Sequence, residues 1–227
     1  ESTADAQQDI SHEAGTGRWL DISEVWRILS NPPLVALGLV LTGVQASWAL
    51  MLTFIVVYLQ SLNISLESTG VIASLALISA IVSAPLFGRF YDRTVRDSRK
   101  ILLACGVGIS AALAATSIPV LPVIVASVIA IGFFAGGAFT VAYAKARMIR
   151  TIGSDPEMQH EENKMSRDSA LNVAWINGLS LLGVLWMPLV FSLAVKSWGG
   201  YSNAWILSAI LTALFMFIPL QKVTHHT

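Results

Sequence analysis

Residues 70–100 have the sequence GVIASLALISAIVSAPLFGRFYDRTVRDSRK. The first 19 of these residues carry no charge, whereas seven of the last 12 are charged. A helix of about 20 mostly apolar residues is long enough to cross the hydrocarbon core of a bilayer. The abrupt change from apolar to charged sequence predicts a membrane-spanning helix that ends in an aqueous loop.

The whole composition supports a membrane protein. Of the 227 residues, 55% are hydrophobic and only 12% are charged, and the mean hydropathy is +0.67. Soluble domains carry about 25% charged residues. The net charge is zero, so no basic excess points to a nucleic-acid partner. The single cysteine, Cys105, lies in an apolar run, which predicts core packing and leaves no disulfide or cysteine-based metal site. We expect no cofactor.

Six stretches are apolar enough to span a bilayer. We therefore predict an all-α membrane protein with six transmembrane helices in a domain over 32–221. Residues 1–17 are polar and are expected to form a flexible linker or tail, and 222–227 a second tail. Residues 18–31 are expected to form an interfacial amphipathic helix, or simply a helical lead into the first span. The predicted spans are 34–59, 70–90, 101–118, 120–144, 171–195 and 204–220.

The distribution of lysine and arginine predicts the orientation of these spans. Thirteen of the 14 basic residues fall on one side of the predicted bilayer, and only Lys196 falls on the other. Lysine and arginine are concentrated in cytoplasmic loops. Both termini are therefore expected in the cytoplasm, as an even number of spans requires.

A motif follows the second span. Gly88, Asp92, Arg93 and Arg96 have the spacing G-x-x-x-D-R-x-x-R, and the next basic residue is displaced by two positions. This resembles the loop motif of the major facilitator superfamily. The lead-in WRILSNP, residues 26–32, is similar to that family's entry to its seventh span. The resemblance covers essentially 18–221 and is to the C-terminal six-helix half.

The resemblance implies a fold and a function. Each half of this superfamily contains two inverted three-helix repeats, and the substrate site lies between the halves. The chain is thus expected to be half of a secondary transporter that moves a small polar or amphiphilic solute by alternating access. Its expected partners are the lipid bilayer, the solute, and a second six-helix unit. That unit is an N-terminal half, in the same longer protein or a separate chain, or a second copy.

The motif also has a physical interpretation. Gly88 is expected to allow close helix approach, and Asp92 to interact with a helix end or with arginines. Arg93 and Arg96 can pair with that carboxylate or with anionic headgroups. In the family the motif acts as a gate latch between the halves. The alternative is a basic loop that serves only as a topology signal.

Polar side chains within the spans are the candidate substrate contacts. Gln45 and Trp48 share one face of the first span, and Asn172 and Trp175 share one face of the fifth. Amides can donate and accept hydrogen bonds, and indoles can pack on a ligand. Tyr143 and Asn177 are weaker candidates. The alternative is that the amides bridge helices and the indoles fill the core.

Two other observations limit the function. No aspartate or glutamate lies inside a predicted span, so this half offers no obvious coupling acid. No Ser/His/Asp set or HExxH motif is present in the spans, so an enzyme is not expected. The remaining alternative is a six-helix, non-transporting subunit or scaffold of a larger membrane assembly. Gly132 and Gly136 in the fourth span predict close helix packing.

Overall fold

The computed structural model describes residues 26, 30–93, 98–149 and 161–222. In these ranges the chain forms six long helices, each long and apolar enough to cross a membrane. The six predicted spans are confirmed, and the chain is an all-helical, multi-pass integral membrane protein. The helices are α1 (Pro32–Ser61), α2 (Leu66–Arg93), α3 (Ser98–Thr116), α4 (Leu121–Met148), α5 (Glu161–Trp198) and α6 (Tyr201–Lys222).

Several sequence-based predictions lie outside the described residues. The segment 1–17 is among them, and of the predicted interfacial helix over 18–31 only Trp26, Ser30 and Asn31 are described. Arg96 of the loop motif and the last residues of the chain, 223–227, are also outside.

The local sequence explains where the first two helices begin and end. Two prolines stand at the first positions of α1, where a missing backbone N–H costs nothing. The chain turns between α1 and α2 at Asn63, which has a φ of 61°, and asparagine tolerates this left-handed conformation better than most residues. The Ser65 hydroxyl then accepts a hydrogen bond from the Ser68 N–H at 3.3 Å and so caps the start of α2.

The helices are arranged around a central pair, α1 and α4. Helix α1 packs most extensively on α5, and α4 packs most extensively on α2. On one side of the central pair, α3 packs on α4, α6 packs on α1, and α3 and α6 contact each other. On the other side, α2 and α5 make no extensive contact with each other. The bundle is therefore closed on the side of α3 and α6 and open between α2 and α5.

This arrangement agrees with the predicted internal repeat. Exchanging α1 with α4, α2 with α5 and α3 with α6 converts the α1–α5 contact into the α2–α4 contact. It also converts the α3–α4 contact into the α1–α6 contact and leaves the α3–α6 contact unchanged. The prolines follow the same exchange, because Pro85 lies inside α2 and Pro188 lies inside α5. Both observations favour two three-helix repeats.

Close packing between α2 and α4 depends on two glycines of α4. A methyl group at Gly132 would collide with the Ala76 carbonyl oxygen and the Ser79 hydroxyl. At Gly136 it would come within 2.7 Å of the Ala80 carbonyl oxygen. Small residues let helix backbones approach closely, which matters because lipid gives helices no hydrophobic reason to associate. The prediction of a packing role for this glycine pair is confirmed.

The contact between α1 and α5 uses the same device. A methyl group at Gly183 of α5 would collide with the Thr42 carbonyl oxygen of α1. The Thr42 hydroxyl donates to the Gly38 carbonyl oxygen at 2.9 Å and lies 3.2 Å from the Leu179 carbonyl oxygen of α5. On another face of α1, the hydroxyls of Ser47 and Thr212 lie 2.8 Å apart and join α1 to α6. Cys105 of α3 is fully buried, as predicted.

We predict that Gly132→Ala lowers the stability of the bundle, because the new methyl group meets backbone atoms that cannot move aside. A loss of about 1–3 kcal/mol is expected for such overpacking. The matched control is Gly70→Ala in α2, where the added methyl group meets no atom within 4 Å. Thermal unfolding of the purified protein measures both. Equal melting temperatures for the two variants would contradict the close approach of α2 and α4.

Candidate functional site

Helices α2 and α5 are the least covered helices of the bundle. In its most apolar 18-residue window, α2 has 17% of its residues buried and α5 has 28%, against 56% for α1 and 50% for α4. The exposed faces are apolar, which suits lipid or another apolar protein surface. The large hydrophobic residues exposed on α2 and α5 are Leu66, Val71, Leu77, Ile78, Ile81, Val82, Leu86, Phe90, Leu181, Leu182, Leu185, Leu189, Leu193 and Trp198.

Gln45 and Trp48 lie on a partly exposed face of α1. Both side chains are half-buried, and Leu52, one turn further along, is exposed. Gly43 contacts α6, and Ser47 bonds to that helix. At 100° per residue, Gln45 lies on the side of α1 that faces away from α6. Its amide forms no hydrogen bond with the described part of the chain, so it is available to a ligand near the middle of α1.

Asn172 is not on an exposed face, contrary to our expectation for a substrate contact. Its side chain is fully buried. The Asn172 amide nitrogen donates to the Ile149 carbonyl oxygen at 2.8 Å and to the Ala146 carbonyl oxygen at 3.3 Å. The last carbonyls of a helix lack partners within the helix. Asn172 therefore caps the end of α4 from the side of α5, which is the helix-bridging alternative.

Trp175 also points away from the open side of α5. Its ring packs against the hydrophobic core, and its indole nitrogen is buried without a hydrogen-bond partner among the described residues. Trp175 and the exposed Asn177 are two residues apart and so lie on nearly opposite sides of the helix. Asn172 is thus enclosed within the bundle, whereas Gln45, Trp48 and Trp175 are all half-buried.

The loop motif lies at the end of α2. The side chains of Asp92 and Arg93 are exposed, and no described residue forms an ion pair with the Asp92 carboxylate. A methyl group at Gly88 would lie 3.8 Å from the Thr140 side chain, which is an ordinary contact. Among the described residues, close packing therefore does not require glycine at position 88, contrary to our expectation. Asp92 is free to interact with a group outside the described residues.

The described residues also form a groove between α4 and α5, which we call the α4–α5 groove. It has a volume of about 690 Å³ and opens to the surface. Its lining residues are Tyr143, Arg147, Ser169, Ala170, Val173, Ala174 and Asn177. It lies toward the end of the bundle at which α4 ends and α5 begins its apolar span; we call this the basic end, because Arg93, Lys100, Lys145 and Arg147 are there.

A hydrogen bond between two side chains crosses this groove. The Tyr143 hydroxyl donates to Asn177 Oδ1 at 2.8 Å. The Tyr143 ring stacks on Phe139, one turn earlier in α4, with ring centroids 6.2 Å apart and an interplanar angle of 13°. The stacked ring holds the hydroxyl toward α5. The Asn177 amide nitrogen keeps both of its donors, because the tyrosine occupies the oxygen.

Comparison of the sequence with profiles of known protein families identifies the family of this chain. The sequence profile of the Major Facilitator Superfamily matches residues 3–148, which is more than half of the chain. The chain belongs to the major facilitator superfamily. It is therefore a membrane transporter of the major facilitator kind, whose members act on small molecules across a lipid bilayer. No curated protein sequence matches it.

Part of the α4–α5 groove is predicted by the sequence. Tyr143 and Asn177 are among the weaker candidate substrate contacts, whereas Arg147 and Ser169 are not among the candidates. Tyr143 and Arg147 are four residues apart on α4, and Ser169 and Asn177 are eight apart on α5, so each pair shares a helix face. This spacing is visible in the sequence. What the sequence does not contain is that these two faces meet.

We predict that Asn172→Ala destabilises the bundle, because the Ile149 carbonyl oxygen loses its donor and the Ala146 carbonyl oxygen keeps only the Ile149 N–H. Leaving buried polar groups without partners costs about 1–3 kcal/mol. The control is Asn203→Ala, an exposed asparagine in the first turn of α6. A lower melting temperature for Asn172→Ala alone supports the capping role. Unchanged melting with impaired solute binding would return Asn172 to the substrate site.

Proposed function

We propose that this chain is the C-terminal six-helix half of a major-facilitator-type secondary transporter. It moves a small polar or amphiphilic solute by alternating access. The observation that carries this proposal is the open side of the bundle, where α2 and α5 stand apart and expose apolar faces while α3 and α6 close the other side. A second six-helix unit covers those faces and completes the pathway.

The proposed partner is an N-terminal half, in the same longer protein or in a separate chain, or a second copy of this chain. Helices associate in lipid through close packing and polar contacts rather than through a hydrophobic force. Polar groups for contact with the partner are present on α1 and α5, since Gln45 lies half-buried on α1 and Asn177 is exposed on α5. The two units together would enclose a cavity that neither encloses alone.

Of the four substrate contacts predicted from the sequence, Gln45 and Trp48 remain the proposed direct contacts. Both side chains are half-buried. Gln45 lies on the side of α1 that faces away from α6, and Trp48 lies next to that side. Their amide and indole groups suit a polar or amphiphilic solute better than a bare ion. Asn172 and Trp175 are proposed to support this site from within the bundle, by holding the end of α4 and filling the core beside α5.

Gly88, Asp92, Arg93 and Arg96 are proposed as the gating motif at the basic end. The Asp92 side chain is exposed at the end of α2, so a partner helix can reach it. A carboxylate is stabilised at the N-terminal end of a helix. Contact with the partner in one conformation and loss of it in the other would make Asp92 a latch between the inward-open and outward-open states.

The basic end is proposed to face the cytoplasm, with both termini on that side. We predict that Lys100→Cys, at the exposed start of α3, is protected from an impermeant thiol reagent in intact cells. We predict that Ser65→Cys, in the turn between α1 and α2, is labelled. Both substitutions are made in a Cys105→Ala background, which removes the native thiol. Labelling of Lys100→Cys without labelling of Ser65→Cys would show the inverted topology.

We predict that Asp92→Asn in the complete transporter slows uptake into proteoliposomes but leaves folding intact. The charge-assisted contact of the latch is worth about 1.5–3 kcal/mol, which corresponds to an uptake change of about tenfold or more. Thermal unfolding is measured in parallel. The melting temperature is expected to stay unchanged, because the exposed Asp92 side chain contributes little to the stability of this half.

Glu67→Gln is the matched control for Asp92→Asn, because Glu67 is an exposed carboxylate at the opposite end of the same helix. It is expected to leave uptake unchanged. Equal uptake by the wild type, Asp92→Asn and Glu67→Gln would reduce the motif to a topology signal.

A further inference from the structure

The α4–α5 groove has a polar group at each end and a small apolar middle. Arg147 and Ser169 lie toward the basic end, and Tyr143 and Asn177 lie deeper. Four residues separate Tyr143 from Arg147, which is a rise of about 6 Å along α4. Eight residues separate Ser169 from Asn177, which is a rise of about 12 Å along α5. The side chains between them are small and apolar: Ala170, Val173 and Ala174.

The charge in this groove has one sign. Among the described residues that line it, Arg147 is the only ionised side chain and none is acidic. Arg147 is exposed and forms no ion pair within the described part of the chain. A guanidinium presents donors in a planar fork that matches a carboxylate or phosphate group. The Ser169 hydroxyl, across the groove on α5, can add a further donor to the same oxyanion.

The deeper end of the groove offers a second recognition point. The Tyr143 hydroxyl and Asn177 Oδ1 are already joined at 2.8 Å. This bond orients the pair and leaves the Asn177 amide hydrogens and the lone pairs of the tyrosine oxygen for a ligand. A molecule that fills the groove therefore needs an anionic group, a short apolar segment, and a hydrogen-bonding group at the far end.

We propose that the α4–α5 groove binds a small organic oxyanion, whose carboxylate or phosphate group pairs with Arg147 and Ser169 and whose other end bonds to Tyr143 and Asn177. The same chemistry is offered by a transported solute and by the headgroup of an anionic lipid. That the bound molecule is also transported rests on the proposed function above. The binding itself is tested without transport.

The test is equilibrium dialysis of the complete protein in phosphatidylcholine nanodiscs against three labelled probes. Hexanoate carries the oxyanion and the apolar segment, 6-hydroxyhexanoate adds the distal hydroxyl, and hexanamide is a neutral molecule of nearly the same shape. We expect 6-hydroxyhexanoate to bind most tightly, hexanoate less tightly, and hexanamide about tenfold or more weaker than hexanoate, because it lacks the charge that pairs with Arg147.

Substitutions assign the binding to the groove. Arg147→Gln is expected to weaken hexanoate binding about tenfold or more. The matched control is Lys145→Gln, which removes a cation from the same last turn of α4 but does not line the groove. Arg147→Lys, which keeps the charge, is expected to retain part of the binding if Arg147→Gln folds poorly. Tyr143→Phe is expected to remove the advantage of 6-hydroxyhexanoate over hexanoate.

A second arm distinguishes a solute from a lipid. The dialysis is repeated in discs that contain phosphatidylglycerol, and retained lipid is measured by native mass spectrometry. Hexanoate binding that persists in these discs assigns the groove to a solute. Loss of hexanoate binding, with phosphatidylglycerol retained by the wild type and released by Arg147→Gln, assigns it to a headgroup. Either result supports an oxyanion site.

The proposal is overturned if hexanamide binds as tightly as hexanoate, or if Arg147→Gln and Lys145→Gln behave alike toward every probe and lipid. This outcome is independent of the transporter assignment. Uptake of a neutral solute by the complete protein, with no anion bound at the groove, would leave the proposed function and remove the oxyanion site. Anion binding without uptake of any solute would support the oxyanion site and contradict the proposed function.

Discussion

The fold depends on how closely its helix backbones approach one another. In lipid, two apolar helices gain nothing from burying apolar surface against each other, so their association depends on van der Waals packing and on polar contacts. The contact of α2 with α4 leaves no room for a methyl group at Gly132 or Gly136, and the contact of α1 with α5 leaves none at Gly183. These two contacts are the most extensive in the bundle, and they set the positions of α2 and α5 on its open side.

Polar side chains reinforce this packing where hydrocarbon surrounds them. A buried polar group without a partner is costly, and most of the buried hydroxyls bond to a carbonyl oxygen of their own helix. Some polar groups also join different helices, among them Ser47 with Thr212 and Asn172 with the end of α4. Both therefore act as parts of the scaffold. The polar groups that remain available to a ligand are Gln45 on α1 and the lining of the α4–α5 groove.

The open side of the bundle connects the scaffold with the function. The bundle is closed where α3 and α6 contact each other and open where α2 and α5 make no extensive contact. The loop motif ends α2 on the same side, and the α4–α5 groove ends at Arg147 at the same basic end. The proposed second six-helix unit, placed on this side, would therefore contact the loop motif and cover the candidate binding surfaces at once.

The sequence by itself determined the fold class, the number of spans and the family. These features can be predicted because they are properties of consecutive residues: span length, charge distribution and the spacing of Gly88, Asp92 and Arg93. Charge is costly in hydrocarbon, so the membrane spans are marked in the sequence by long uncharged stretches. The packing role of Gly132 and Gly136 also followed from spacing along one helix. The contacts of Asn172, Trp175 and Arg147 did not. Whether an amide faces a ligand or caps a neighbouring helix depends on which faces of two distant helices meet, and only the tertiary structure decided this, because side-chain spacing within one helix carries no information about the helix packed against it.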